Sequence, residues 1–187
     1  MEDSWGNAIY FIASGWVKVR RAGEGLYSTL AVLGKGDFFG EMAILDESPR
    51  STDVVALSPV TLVSIPAQPF IEALFQDAQL HHRMLQRMVQ RLRKTNLRWQ
   101  LRHQLPAVKL AHTLTSLAED YGEHRQGILE IVNLSPEDLA AVADITQDEI
   151  AHLMEKLLDR RWLRPDPANH VLRLPGFQQL RKLAQKR

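Results

Sequence analysis

Residues 36–52 read Gly36-Asp37-Phe38-Phe39-Gly40-Glu41-Met42-Ala43-Ile44-Leu45-Asp46-Glu47-Ser48-Pro49-Arg50-Ser51-Thr52, and the fold of the chain turns on where this stretch sits. A turn, Gly34-Lys35-Gly36-Asp37, leads into it. Short β-branched and aromatic runs flank it, at 9–12, 16–19 and 30–33 before and at 54–57 and 61–65 after. Ser14-Gly15, Gly23-Glu24-Gly25 and Ser58-Pro59 punctuate those runs. Strands this short, at this spacing, predict a compact antiparallel barrel or sandwich.

Further along, the period changes. Phe70, Leu74 and Phe75 suit a short helix after Pro69. Residues 81–104 then run without Gly or Pro. Their apolar positions (Met84, Leu85, Met88, Val89, Leu92, then Thr95 and Trp99) repeat close to every ~3.5 residues, the seam of a coiled coil. The barrel does not need so long a helix, so the stripe is expected to meet a second copy of itself. Pro106 is expected to end it. Residues 107–122 read as an amphipathic helix stopped by Gly122, and 128–132 as a strand. Ser135-Pro136-Glu137-Asp138 opens a short helix over about 138–143, with a capping serine, proline at the first position and acids on the dipole. Thr146 and Glu149 form a capping box for a second helix, whose apolar face is Ile150, Leu153, Met154, Leu157 and Leu158. Trp162-Leu163-Arg164, a Pro-Asp-Pro turn and 171–174 read as a two-stranded wing. Two short helices, a tight turn and a hairpin make a winged helix-turn-helix. The expected class is α+β: an antiparallel, jelly-roll-like β-roll over 1–80, a dimerisation helix over 81–105 and the winged helix-turn-helix over 106–187.

Composition narrows the chemistry. The chain has 187 residues and no cysteine, which removes disulfides, thiolate metal sites and thiol nucleophiles. No apolar run reaches the ~20 residues of a membrane span, and the N-terminus does not read as a signal peptide; a cytoplasmic protein is expected. Charge is uneven: residues 1–80 are acidic, and 105–187 are nearly balanced. Residues 81–104 carry seven bases (Arg83, Arg87, Arg91, Arg93, Lys94, Arg98, Arg102) and no acid. Those bases read as a solvated helix face. No metal cluster, nucleophile–base pair or P-loop is present in the sequence, so no enzyme and no cofactor is expected.

The quoted stretch resembles the phosphate-binding cassette of the cyclic-nucleotide-binding domains found in the catabolite activator protein and in cAMP-dependent protein kinase regulatory subunits. That cassette reads Phe-Gly-Glu, a short apolar helical turn, then Pro-Arg-Ser/Ala. Taken singly, Gly40-Glu41 reads as an ordinary turn and Arg50 as a surface arginine; in this order, between strands, they match the cassette. The resemblance implies a pocket for a cyclic nucleotide, cAMP favoured over cGMP, acting as allosteric effector. Its residues would be Phe39, Gly40, Glu41, Met42, Ala43, Arg50, Ser51 and Thr52. Arg50 would meet the cyclic phosphate with a fork of donors, backbone N–H groups near Gly40 would face the same anion, Ser51 would add a hydroxyl, and Glu41 would accept the ribose 2′-OH. By the same resemblance Arg91 braces Glu41, Thr95 reaches the purine amino group, and Asn96 stands where the family activator supplies a residue across the dimer. By themselves, Arg91 and Thr95 read as a solvated residue and a seam filler.

The C-terminal part resembles the helix-turn-helix of the CRP/FNR family, through Leu139-Ala140-Ala141-Val142-Ala143, a turn, and Gln147-Asp148-Glu149-Ile150-Ala151-His152-Leu153. It also departs from it. Where the family activator's recognition helix carries Arg-Glu and a further Arg, this chain has Gln147, Asp148 and His152. The turn glycine is Asp144, which tolerates a left-handed backbone. The candidate DNA contacts are Thr146, Gln147, Asp148, His152 and Lys156; Gln147 suits adenine and Asp148 suits cytosine. Asp144, Asp148 and Glu149 set three carboxylates toward a polyanion, against the electrostatics of DNA binding. The helix and first strands that family members carry ahead of the match have no counterpart in this sequence, so the roll reads as N-terminally truncated, either because the start is assigned too late or because the barrel is incomplete. Residues 176–187 have no counterpart in the resemblance, and the basic tail reads as a frayed terminus.

The resemblance implies a cAMP-responsive homodimeric transcription regulator, paired through 81–104, that binds double-stranded DNA, with RNA polymerase a further partner and no membrane contact. Two alternatives stand beside it: a nucleotide-sensing dimer whose helix-turn-helix binds protein, and a ligand-independent regulator of the same type.

Overall fold

A computed structural model describes residues 6–22 and 27–185. The expected strands form: β1 (Ala8–Ser14), β2 (Val17–Ala22), β3 (Tyr27–Leu33), β5 (Asp53–Ala56) and β6 (Thr61–Pro66). Between β3 and β5 lie β4 (Phe38–Phe39), too short to show as a run in the sequence, and the helical turn α1 (Glu41–Leu45). Among the described residues the strands build two antiparallel sheets, ordered β4-β1-β6 and β3-β2-β5. Ile9, Phe38 and Ile44 close one side of the roll with Phe70 and Met84; Ile12, Val17 and Leu33 fill the other.

Two helices follow, α2 (Ala67–Gln76) and α3 (Ala78–Leu101). The second starts three residues before its expected place because Asp77 caps it, its carboxylate accepting from the Gln79 and Leu80 amides at 2.8 and 3.0 Å. It ends at Leu101, where the Gln104 amide turns back onto the Leu101 carbonyl. Pro106 therefore does not stop it directly. Instead it opens α4 (Pro106–Tyr121) from the first helical turn, where its missing N–H costs nothing.

After α4 come β7 (Glu123–Arg125), β8 (Ile128–Val132), α5 (Pro136–Ala143), α6 (Gln147–Asp159), β9 (Arg164–Asp166), β10 (Val171–Arg173) and α7 (Phe177–Ala184). Gly122 does not close α4 through a left-handed cap. Its backbone is extended, with φ −64° and ψ 136°, and glycine is needed because an added Cβ would lie 2.4 Å from the Ala118 carbonyl oxygen. The wing is not an isolated two-stranded hairpin, since β10 pairs with β8 as well as β9 in a four-stranded sheet ordered β7-β8-β10-β9. The tail is not frayed as far as Ala184: Leu180 of α7 is fully buried with Leu110, Leu114 and Leu174.

Val32 of the roll joins this C-terminal core, with Trp16 and Leu57 packed against it. A polar clasp reinforces the contact. Buried Asp138 on α5 accepts from Lys18 of β2 at 2.7 and 2.9 Å, from Thr29 of β3 at 2.7 Å and from Ser135 at 3.0 Å. Burial works against its charge, yet the Lys18, Thr29 and Ser135 bonds outweigh that and hold its pKa below the ordinary carboxylate value.

Candidate functional site

Gly40 sits ahead of α1 with φ 88°, a left-handed conformation that suits glycine. A Cβ there would fall 2.3 Å from Arg50 Nη1. The guanidinium lies across this gap, donating from Nη2 to the Ala8 carbonyl at 2.8 Å and lying 5.7 Å from the centroid of the Tyr10 ring. Tyr10 in turn stacks on Phe39, ring centroids 5.2 Å apart.

Glu41, the first residue of α1, is 5% exposed. Its Oε1 accepts from Arg91 Nη1 of α3 at 2.7 Å. Arg91 Nη2 donates to the Phe38 carbonyl and approaches Asp37 Oδ1 to 3.6 Å, while its guanidinium carbon lies 4.4 Å from the centre of the Phe38 ring. The other Asp37 oxygen accepts the hydroxyl of Tyr121, at the end of α4. Burial first, and Asp37 second, raise the Tyr121 pKa far above its usual value, so it remains a donor.

These groups border one cavity of about 840 Å³. Phe39, Gly40, Glu41, Met42, Ala43, Arg50, Ser51, Thr52, Arg91 and Thr95 all line it. Asn96 does not; it is exposed on α3. The reason is that α3 carries two different faces. Met84 and Met88 pack on the roll, with Arg91 and Thr95 continuing that line into the cavity. Leu85, Val89, Leu92 and Trp99 stand 52%, 47%, 59% and 69% exposed on the other, and Asn96 falls within their three-four spacing.

The seven bases of residues 81–104 are not one solvated face. Arg91 holds Glu41; Lys94 pairs with Asp120 of α4 at 2.6 Å; Arg98 donates to the carbonyls of Leu30 and Ala141. Sequence reasoning missed Lys94, Arg98, Asp37 and Tyr121. Asp37 was visible as an acid beside an apolar run, but nothing local marked Tyr121, whose partner is 84 positions away.

In the helix-turn-helix, Asp144 adopts φ 55° and ψ 51° between α5 and α6. Gln147, Asp148, His152 and Lys156 are exposed along α6. Thr146 caps α6: its hydroxyl accepts the Glu149 amide at 3.2 Å, and Glu149 accepts the Thr146 amide at 2.8 Å. That backbone bond, with the Thr146 hydroxyl, lowers the Glu149 pKa. Lys109 neutralises Asp144 at 3.0 Å. Of the three carboxylates expected to oppose DNA, Asp144 is exposed but paired with Lys109, Glu149 is bonded to the helix start, and Asp148 is exposed in the first turn of α6.

Residues 1–77 match the cyclic nucleotide-binding domain family. The chain is 28% identical over 167 residues to the CRP-like cAMP-activated global transcriptional regulator of Mycobacterium tuberculosis, covering 87% of this chain and 74% of that one. It is 28% identical over 170 residues to the cyclic AMP receptor protein of Thermus thermophilus, covering 90% and 76%. A crystal structure of a CRP/FNR-family transcriptional regulator from Thermus thermophilus shares the fold, with TM-score 0.76 at 22% identity over 100% of this chain and 92% of that one. Residues 1–77 thus carry a cyclic nucleotide-binding domain, and along most of its length the chain is similar to CRP-like transcriptional regulators and shares the fold of CRP/FNR-family structures.

Proposed function

We propose that the chain is a cytoplasmic, homodimeric, cAMP-responsive transcription regulator that binds double-stranded DNA through α5 and α6. One observation carries the ligand reading: a buried glutamate braced by Arg91 and an arginine held across a left-handed glycine border the same cavity. Arg50 and the amides at the start of α1 suit the cyclic phosphate, with Ser51 and Thr52 beside them. Glu41 suits the ribose 2′-OH, and Thr95 the purine edge. The exposed line Leu85, Val89, Leu92 and Trp99 suits a parallel α3–α3 seam, which would carry Asn96 toward the partner's cavity. Gln147, Asp148, His152 and Lys156 would face the major groove, with Thr146 at the helix start.

Calorimetric titration with cAMP, alongside cGMP, tests the reading. Stoichiometric binding of cAMP that Arg50→Ala abolishes in a folded dimer is the expected result; unchanged binding by Arg50→Ala overturns the pocket assignment. The exposed Asp148 in the first turn of α6 favours a second reading, a nucleotide-sensing dimer whose helix-turn-helix meets a protein. Mobility shifts at low salt separate the two, because DNA binding rests on phosphate neutralisation. Retardation that increases with cAMP supports the regulator. No retardation of any duplex, with or without ligand, supports the second reading.

A further inference from the structure

Glu41, Arg91, Asp37 and Tyr121 run in series from the cavity to the end of α4. The Arg91 guanidinium is divided between two acids, Nη1 on Glu41 and Nη2 on the Phe38 carbonyl beside Asp37, and its buried Nε has no partner among the described residues. Tyr121 is firmly seated. Trp16 meets its ring edge-on, centroids 5.2 Å apart. Lys94 holds the adjacent Asp120 and lies 5.7 Å from the Tyr121 ring. Gly34 makes the room: a Cβ there would lie 2.9 Å from Tyr121 Cδ1.

We propose that the Tyr121–Asp37 contact is a latch that couples occupancy of the cavity to the seating of α4, with Gly34, Asp37 and Tyr121 acting as positioning residues for Glu41. The identity of the occupant rests on the reading above. Without the Tyr121 hydroxyl, Asp37 is left buried and short of a donor. Arg91 Nη2 is the nearest replacement, and moving it onto Asp37 draws Nη1 away from Glu41. A ligand that uses Glu41 then binds more weakly. Linkage is reciprocal, so the same ligand strengthens the latch.

The test uses the full chain with Tyr121→Phe, Gly34→Ala and Glu41→Gln. One readout is cAMP affinity by calorimetry; the other is hydrogen exchange of the Gly122 amide, which closes α4 on the Ala118 carbonyl. Tyr121→Phe and Gly34→Ala should each weaken cAMP about fivefold or more. cAMP should slow exchange at Gly122 in the parent and not in Tyr121→Phe. A purely structural Tyr121 would alter exchange and leave affinity unchanged; unchanged affinity in both variants overturns the latch. If the parent binds neither cAMP nor cGMP, the ligand reading fails, and the ligand-free arm decides the latch. Faster Gly122 exchange in Glu41→Gln, abolished when Tyr121→Phe is combined with it, upholds the latch; no effect of Glu41→Gln refutes it.

Discussion

Replacing Lys18 with Met tests how firmly the helix-turn-helix is fastened to the roll. Methionine keeps most of the lysine stem, so packing is preserved while the charge is lost. Lys18 gives Asp138 two bonds, at 2.7 and 2.9 Å, and Asp138 is 4% exposed. Removing one partner of a fully buried pair costs about 3–5 kcal/mol. The Lys18 side chain is 21% exposed, and Thr29 and Ser135 still donate, so about half of that is expected, ~2 kcal/mol. This is about a thirtyfold drop in the folding equilibrium. Urea unfolding at pH 7, followed by tryptophan fluorescence and far-UV circular dichroism, reads it as a lower midpoint at unchanged slope. The acid dependence gives an independent check. Because the folded pKa of Asp138 is depressed, the clasp is fully present above the unfolded value near ~3.9 and is lost as pH falls through the folded one. Parent and Lys18→Met should therefore differ most near neutrality and converge once the pH has fallen below the folded value. A loss under ~0.5 kcal/mol at pH 7, or one that persists unchanged in acid, would refute the clasp as a source of stability.

Val89→Glu with Leu92→Glu places charges in the exposed line of α3 and should convert a dimer to monomers by sedimentation; a parent that is already monomeric at micromolar concentration would remove the seam. Gly40→Ala forces a Cβ onto Arg50 at a φ of 88° and should cost about 1–3 kcal/mol, measured as a lower melting temperature, together with weaker cAMP binding in calorimetry. Leu180→Ala should cost about 2–5 kcal/mol in urea unfolding, because the side chain is fully buried; a neutral result would mean α7 is not part of the core. Tyr121 contributes stability that is present below its unfolded pKa of ~10 and lost as pH rises beyond it. The alkaline fall in melting temperature should accordingly be shallower in Tyr121→Phe.

Local chemistry was legible wherever it was written in neighbouring residues. The roll strands followed from apolar runs and turn formers. The Thr146–Glu149 box, the Ser135 cap and the left-handed Asp144 all appear as expected, because each is satisfied within a few positions of chain. The 36–52 stretch announced its resemblance because Gly40, Glu41 and Arg50 lie close in order as well as in space. The four-stranded sheet, the seating of α7 and the two faces of α3 were decided by tertiary packing. On α3 the apolar spacing alone could not separate Met84 and Met88, which meet the roll, from Val89 and Leu92, which do not. The same holds for its bases: a run of arginines and lysines looks like a solvated face until Glu41, Asp120 and the carbonyls of Leu30 and Ala141 are brought against it. The links between the roll and the C-terminal helices, Lys18 to Asp138 and Asp37 to Tyr121, join residues 120 and 84 positions apart. Periodicity and capping rules act over a turn of helix or a strand. A polar contact across that separation leaves no local pattern, and only the folded chain brings its two ends together.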